Sequence, residues 1–436
     1  MNRLICFLVL LLVISGKTIA HDQIPGSSQS GPILIQNATI YPVDDAVIAN
    51  GSILFDNGRI VALGQDIAVP EDTRVIEGTG KHVYPGLIES MTDLGLREVA
   101  AVEVTVDRTE TGDLNPNVRS WVAVNPDSEL IPVARAGGVL LAHVSPGGPW
   151  IRGQTSVMQL DGWTAKEMNL KAPAGMSVNW NWMMPSDKDA KKQASKRNEK
   201  LAELDELFDR VRRYGDAKAA SPKQVTSDVR LEAMLPVIRG QQPMFVAANR
   251  RAAIESAVAY SVKNDLRLVI YGGYDAAECA DLLREYKIPV IVSATYRLPM
   301  YRHDAYDAAY TLPNRLKEAG VQFSIAGEGP GYPGGSSNTR NLPYHAACAV
   351  AYGLPREDAI RAVTLSAAEI LGIDDRVGSI SIGKDASLIV CDGDILETET
   401  NVELAFLQGR EVDLTSRHTM LFKKYQQKYR QKPKGD

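Results

Sequence analysis

Four cysteines in 436 residues are too few and too scattered to build a disulfide framework. Cys6 sits in an apolar leader. Cys279, Cys348 and Cys391 form no CxxC pair and read as buried thiols that pack as small hydrophobes. Histidine is scarce as well, six in the whole chain, which limits the nitrogen donors available to a metal centre. The sequence contains no G-x-S-x-G elbow, no H-E-x-x-H pair, no P-loop and no G-x-G-x-x-G turn. Serine hydrolases, zincins and nucleotide-binding enzymes of the usual types therefore lose their signatures. Neither sign of charge dominates: 48 Lys and Arg face 53 Asp and Glu, a net of −5. That mild acidity argues for solubility and against a general nucleic-acid binder. No run approaches the ~20 apolar residues that span a bilayer, so no transmembrane segment is expected.

What the first twenty residues do contain is an address. A basic start at Arg3, the apolar run Leu4–Ile14 and the small-residue end Thr18-Ile19-Ala20 have the form of a cleavable secretory signal peptide, residues 1–20. The mature chain is then expected to be secreted or periplasmic. Losing Arg3 and Lys17 takes its net charge from −5 to −7. His21–Ser30, rich in Gly, Ser and Gln, reads as a loose mature N-terminus.

From Pro32 the pattern is short strands around turns. Ile33–Gln36, Ala38–Tyr41, Gly51–Phe55 and Arg59–Leu63 alternate about Asp44-Asp45, Asn50-Gly51 and Asn57-Gly58, and Asn-Gly between apolar runs is a hairpin signal. A matching piece lies near the other end, in Val377–Ile380, Gly383–Val390 and Glu403–Gly409. Between the two, apolar strands alternate with amphipathic helices. The strands are Gly138–Val144, Met176–Trp180, Met244–Ala248, Leu266–Tyr271, Ile288–Val292 and Val321–Ala326; the helices begin with Ala252–Lys263 and end with Arg356–Leu371. Such alternation predicts a parallel sheet covered by helices, and at this length a closed (β/α)₈ TIM-like barrel. One charged insert, residues 187–220, has Leu201, Leu204, Phe208 and Val211 at helical spacing and predicts a long surface helix. The basic tail, residues 416–436, is expected to fray in solvent.

The segment Val83–Leu96, V-Y-P-G-L-I-E-S-M-T-D-L-G-L, ties these parts together. It resembles the opening of the amidohydrolase superfamily barrel, which usually reads P-G-L-I-D-x-H-x-H. Four more runs are similar to that family: V-A-A-N-R, L-P-Y-H-A-A-C-A-V-A-Y-G-L, T-L-S-A-A-E-I-L-G-I and G-S-I-S-I-G-K-D-A-S-L-I-V. The nearest branch is the imidazolonepropionase-like one. The resemblance implies that both chain ends, residues 31–82 and 375–415, form one β-sandwich beside a barrel at 83–374. It also implies hydrolysis of non-peptide C–N bonds by one or two divalent metals at the C-terminal ends of the strands.

Carried over place by place, that chemistry loses its donors. The first-strand histidine pair falls on Met91 and Asp93, and the fifth-strand histidine on Ala247. The sixth strand offers Tyr271, and the fourth offers Asn179 and Asn181 in place of a bridging lysine. A thioether binds hard divalent ions poorly, and a methyl group not at all. The last-strand aspartate falls on Glu328, which keeps the charge and adds one methylene. Without a metal the nucleophile is water of pKa ~15.7 and not ~7, an upper bound near ~12 kcal/mol of lost activation. A remaining carboxylate base typically supplies ~10²–10⁴-fold, roughly 3–5 kcal/mol, and does not make up the difference.

Two expectations follow. The first is a secreted protein that keeps the fold without metal catalysis and serves as a binding or scaffold protein. Its partners would be a small-molecule ligand, or a homo- or hetero-oligomer with a related amidohydrolase; no cofactor is expected. The second is an active C–N hydrolase with a rebuilt or single-metal site. Glu328 would be its general base, Asp93 or His143 would assist, and a divalent ion such as zinc would be needed. In either case Glu328 and Asp93 are the candidate catalytic residues. His143, Asn249, Arg250 and His345 are the candidates for ligand contact. A minor third role is contact of the basic tail, with Tyr425 and Tyr429, with anionic surfaces.

Overall fold

The computed structural model describes residues 24–330 and 334–431; the expected signal peptide and His21 lie outside them. The chain opens with five strands: β1 (Ile33–Ile40), β2 (Ile48–Asp56), β3 (Arg59–Gly64), β4 (Arg74–Glu77) and β5 (His82–Pro85). Eight more follow: β6 (Leu87–Thr92), β7 (Val139–Val144), β8 (Ile151–Gln159), β9 (Asn169–Asn179), β10 (Met244–Ala248), β11 (Leu268–Gly272), β12 (Val290–Ser293) and β13 (Phe323–Ala326). The last three are β14 (Leu388–Cys391), β15 (Val402–Leu407) and β16 (Arg410–Glu411).

The two chain ends share one sheet, in the order β16-β15-β14-β5-β1-β2-β3 with β4 beside β1. Its chain-end seam is antiparallel, Leu388 opposite Pro85 through Cys391 opposite His82. Period-2 alternation sends its side chains to opposite faces. Ile35, Ile53, Phe55, Val83, Leu388, Val390 and Phe406 form a small core of their own. Ile389, Cys391, Ala405 and Leu407 join the large core of the barrel. Pro85-Gly86 is the hinge between the two sheets. A Cβ at Gly86 would fall 2.7 Å from Leu140, so only glycine lets the chain cross there.

Strands β6 to β13 form the barrel sheet in sequence order. It departs from a strict (β/α)₈ repeat in one place. β8 runs antiparallel to both β7 and β9, so strands two to four make a meander. Being antiparallel, β8 brings its N-terminal end, Ile151 and Arg152, to the face where the other strands end: Ile151 pairs Val178. The seam between β6 and β13 carries no strand ladder. A side chain bridges it instead, as Glu89 on β6 accepts the Gly327 N–H just past β13 at 3.0 and 3.2 Å.

The helices are α1 (Leu130–Ala136), α2 (Ala190–Ala220), α3 (Val229–Ile238), α4 (Arg251–Lys263), α5 (Ala280–Glu285), α6 (Ala308–Glu318), α7 (Leu342–Ala351), α8 (Arg356–Ala362), α9 (Leu365–Leu371) and α10 (Arg417–Gln431), beside shorter turns. The continuous helix expected over Arg356–Leu371 is broken into α8 and α9 at Val363-Thr364. There Thr364 returns its hydroxyl to the Ile360 carbonyl and so competes with the helix. The charged insert forms α2, 31 residues long, roughly 46 Å at ~1.5 Å per residue. Asp189 caps it by accepting the Lys191 and Lys192 N–H groups. Its second half buries Leu204, Leu207, Phe208, Val211 and Tyr214; residues 190–203 bury nothing. The tail is helical where fraying was expected. Its Lys, Arg and Gln residues are good helix formers, and Ser416 starts the helix by accepting the Met420 N–H at its carbonyl at 2.9 Å.

Asp161, just past β8, fastens the two sheets together. It is buried, takes Arg135 of α1 at 2.9 Å and Arg410 of β16 at 3.1 Å, and accepts the Gly26 N–H at 3.2 Å. Removing one partner of a buried pair strands the other charge, at a cost of about 3–5 kcal/mol. Asp161→Ala is therefore expected to lower the denaturant midpoint by that equivalent. Asp281→Ala, which breaks an exposed pair with Arg284, is expected to cost less than ~1 kcal/mol.

Candidate functional site

The face where the barrel strands end is the place to look for chemistry in this fold. Three adjacent strands put one register row there: Asn179 of β9 pairs Ala247 of β10, which pairs Tyr271 of β11. Each is partly exposed. Asn179 has both amide atoms engaged, donating to the Pro149 carbonyl at 2.9 Å and accepting the Asn181 N–H at 3.3 Å. Ala247 offers no donor.

Tyr271 crosses the mouth. Its hydroxyl lies where a Cβ on Gly329 would stand, 1.6 Å from that point, so the loop after β13 passes directly over it. Gly329 also has φ +75°, so glycine is required there twice over. Burial pushes the phenol well above its usual range. A bond with Ser293 opposes this, the charges of Glu89 and Asp93 add to it, and Arg152 opposes it.

Asp93 is buried. It accepts the Ser336 hydroxyl at 2.5 Å and lies 3.8 and 3.9 Å from Arg97 and Arg108. Arg152, at the start of β8, donates to the Gly148 carbonyl at 3.0 Å. Burial pulls its guanidinium down to about 10, with Tyr271 opposing and Arg108 reinforcing, so it stays cationic at neutral pH. Guanidinium groups thus supply positive charge around Asp93. Glu328 is partly exposed and accepts the Asn338 side-chain N–H at 2.7 Å. One turn, residues 336–341, therefore holds both Asp93 and Glu328.

The other expected residues stand apart. His143 is fully buried on β7, its ring 4.4 Å from Phe245. Its Nδ1 faces the Ser90 carbonyl at 2.8 Å. A carbonyl only accepts, so the proton sits on Nδ1 and the Nε2 lone pair has no partner. His345 of α7 stacks on Tyr296 at 3.8 Å and 4°. Thr295 gives its hydroxyl proton to the His345 carbonyl at 2.6 Å, so the contact of Nδ1 with the same hydroxyl at 3.3 Å requires Nδ1 to donate; again Nε2 is open. Asn249 abuts Gly272, where a Cβ would fall 2.5 Å from its Oδ1. Arg250 is exposed, and its guanidinium lies over the Tyr301 ring at 5.4 Å, outside the cluster around Asp93 and Tyr271. Among the described residues no three His, Cys, Asp or Glu side chains come together in a way that could hold a metal ion. The side chains present at the mouth do not fit the metals that the family resemblance implies.

Tyr271 stood in the sequence as a missing histidine and not as a group with a place of its own. Arg97, Arg108 and Arg152 were missed altogether. For Arg152 the signal was present, a polar–apolar alternation in I-R-G-Q-T-S-V-M, but Gly153 interrupts it.

Three buried titratable groups set a pH profile. Burial raises the Glu89 carboxyl to about 8, against bonds from the Met91 and Gly327 N–H groups that lower it. Burial lowers His143 to about 4, with the Ser90 contact opposing, and lowers His345 to about 3. From pH 6.5 downward the unfolded chain takes up protons that the folded histidines refuse, so stability falls toward acid. From the ordinary carboxylate value of 4.5 up to about 8 the folded chain holds the Glu89 proton more tightly than the unfolded one. Stability is therefore lost as pH rises through that window, by on the order of 5 kcal/mol. Between 4.5 and 6.5 two histidines outweigh one carboxyl. Thermal melts are expected to peak near pH 6.5 in the wild type. In Glu89→Gln the fall between pH 6.5 and about 8 is expected to shrink while the acid fall remains.

Comparison with known proteins agrees with this architecture. The amidohydrolase family model matches residues 252–421. Amidohydrolase tasK of Hapsidospora irregularis is 23% identical over 421 residues, covering 84% of this chain; this chain spans only 41% of that protein's length. Imidazolonepropionase of Symbiobacterium thermophilum is 23% identical over 406 residues, 85% of this chain and 89% of that one. The crystal structure of an amidohydrolase from Thermotoga maritima MSB8 superposes with a TM-score of 0.76 at 28% identity, covering 87% of this chain and 99% of that chain. With its barrel, its second sheet from both chain ends and these relatives, the chain has the amidohydrolase fold and carries an amidohydrolase family domain over residues 252–421.

Proposed function

We propose that this chain keeps the amidohydrolase scaffold for a binding or scaffold role and has given up metal-assisted hydrolysis of C–N bonds. The observation that carries the reading is the occupation of the mouth. Tyr271 reaches across to Gly329, and Asp93, the one carboxylate at the old histidine pair, is engaged by Ser336, Arg97 and Arg108. A cation would have to compete with those partners for Asp93, while Met91 offers a soft thioether, Ala247 offers no donor and the Asn179 amide oxygen is taken by the Asn181 N–H. The open Nε2 atoms of His143 and His345 do not supply the deficit, because neither forms part of a three-donor group.

A carboxylate without an activated nucleophile gains at most the ~10²–10⁴-fold of general base catalysis. Glu328 is the one group that favours the alternative, a hydrolase with a rebuilt or single-metal site, since it remains partly exposed beside Asn338. The two readings separate in an assay of cyclic and linear amides, with and without added zinc or manganese. No turnover that metal stimulates is expected, and Glu328→Gln is expected to change nothing. Turnover that rises with metal and falls at least a hundredfold in Glu328→Gln would establish the alternative.

A further inference from the structure

The C-terminal helix α10 buries no residue of its own. At ~100° per residue, His418, Leu421, Phe422, Tyr425 and Tyr429 fall on one stripe about 100° wide. Its apolar members are open to solvent: Leu421 is 42% exposed, Phe422 67%, Tyr425 48% and Tyr429 65%. Arg417, Lys423, Lys424, Lys428 and Arg430 lie outside the stripe, and no acid occurs between residues 417 and 431. This stands against a chain whose net charge is −5. The helix is tethered at its start, where His418 Nδ1 meets Arg340 at 2.7 Å.

We propose that α10 is a surface anchor that lays its aromatic stripe into the headgroup layer of an anionic lipid membrane. The one-sided charge argues for lipid. Helix α2, which packs on the body of the protein, mixes both signs, as in Lys200–Glu203 and Arg212–Asp209, and α10 carries only cations. Phenol-tipped rings suit the boundary between headgroup and acyl chain, and lysine and arginine stems can lie along apolar surface while their heads reach phosphate. Each cation adds roughly fivefold to partitioning onto an anionic surface. The attraction is screened as the Debye length falls from ~10 Å at 0.1 M salt to ~3 Å at 1 M.

The test is flotation of the full chain with phosphatidylcholine vesicles and with mixed phosphatidylcholine–phosphatidylglycerol vesicles. Binding is expected only to the mixed vesicles, with loss at 1 M salt of roughly the Debye-screened attraction. The double variant Phe422→Ser/Tyr425→Ser, a Lys423→Glu/Lys424→Glu variant and a chain ended after Ser416 are each expected to lower binding by at least tenfold. The melts of the two double variants should be unchanged, because the substituted side chains are exposed. Lys191→Glu/Lys192→Glu, on the basic half of α2, should bind as the wild type does. The proposal is overturned by equal binding to both vesicles, by binding to neither, or by a Phe422→Ser/Tyr425→Ser variant that still binds. Oligomers of the wild type that dissociate in that variant, with no lipid binding, would assign the stripe to a second copy of the chain.

Discussion

One carboxyl closes the barrel. Between β6 and β13 there is no strand ladder, and Glu89 spans the gap by accepting the Gly327 N–H with both oxygens and the Met91 N–H with one. A buried acceptor of this kind costs free energy unless it is matched, and the backbone donors are what match it. Four residues of the mouth flank this seam. Met91 and Asp93 follow Glu89 on one side, and Glu328 and Gly329 follow Gly327 on the other. The tightness is visible at Gly327, where a Cβ would stand 2.9 Å from Glu89 Oε2.

The seam also sets the electrostatics. Glu89 is driven toward its neutral form by burial, so the countercharge for Arg97 and Arg108 comes from Asp93. A metal centre concentrates positive charge on a small ion that activates water. A guanidinium supplies charge and directional N–H groups and leaves water unactivated. Tyr271 crosses from its strand to the last-strand loop at Gly329. Binding chemistry and closure of the mouth follow from the same few residues.

Much of this architecture was legible in the sequence because it rests on local signals. Asn50-Gly51, Asn57-Gly58 and Pro85-Gly86 are turn chemistry, and Met244–Ala248 is an apolar run whose limits match the observed strand. Strand β8 was not legible. Its pairing is antiparallel and its middle carries Gly153 and Gln154, so no clean run marks it. The loss of ligands at Met91 and Ala247 could be read from spacing against the family pattern. The placement of Tyr271, Arg108 and Arg152 could not, since it depends on contacts among β8, β11, the segment after β6 and the loop after β13 that no local pattern records. The turn that holds Asp93 and Glu328, S-S-N-T-R-N, carries no local signal of that role. The bonds of Ser336 and Asn338 arise from tertiary placement.

A cation held at the mouth would compete with Ser336, Arg97 and Arg108 for the Asp93 carboxylate. The direct measurement is elemental analysis for zinc, manganese, iron and nickel in protein purified with neither chelator nor added metal. Total metal well below one ion per chain, unchanged in Asp93→Asn, is the expected result. One ion per chain that is lost in Asp93→Asn would contradict it.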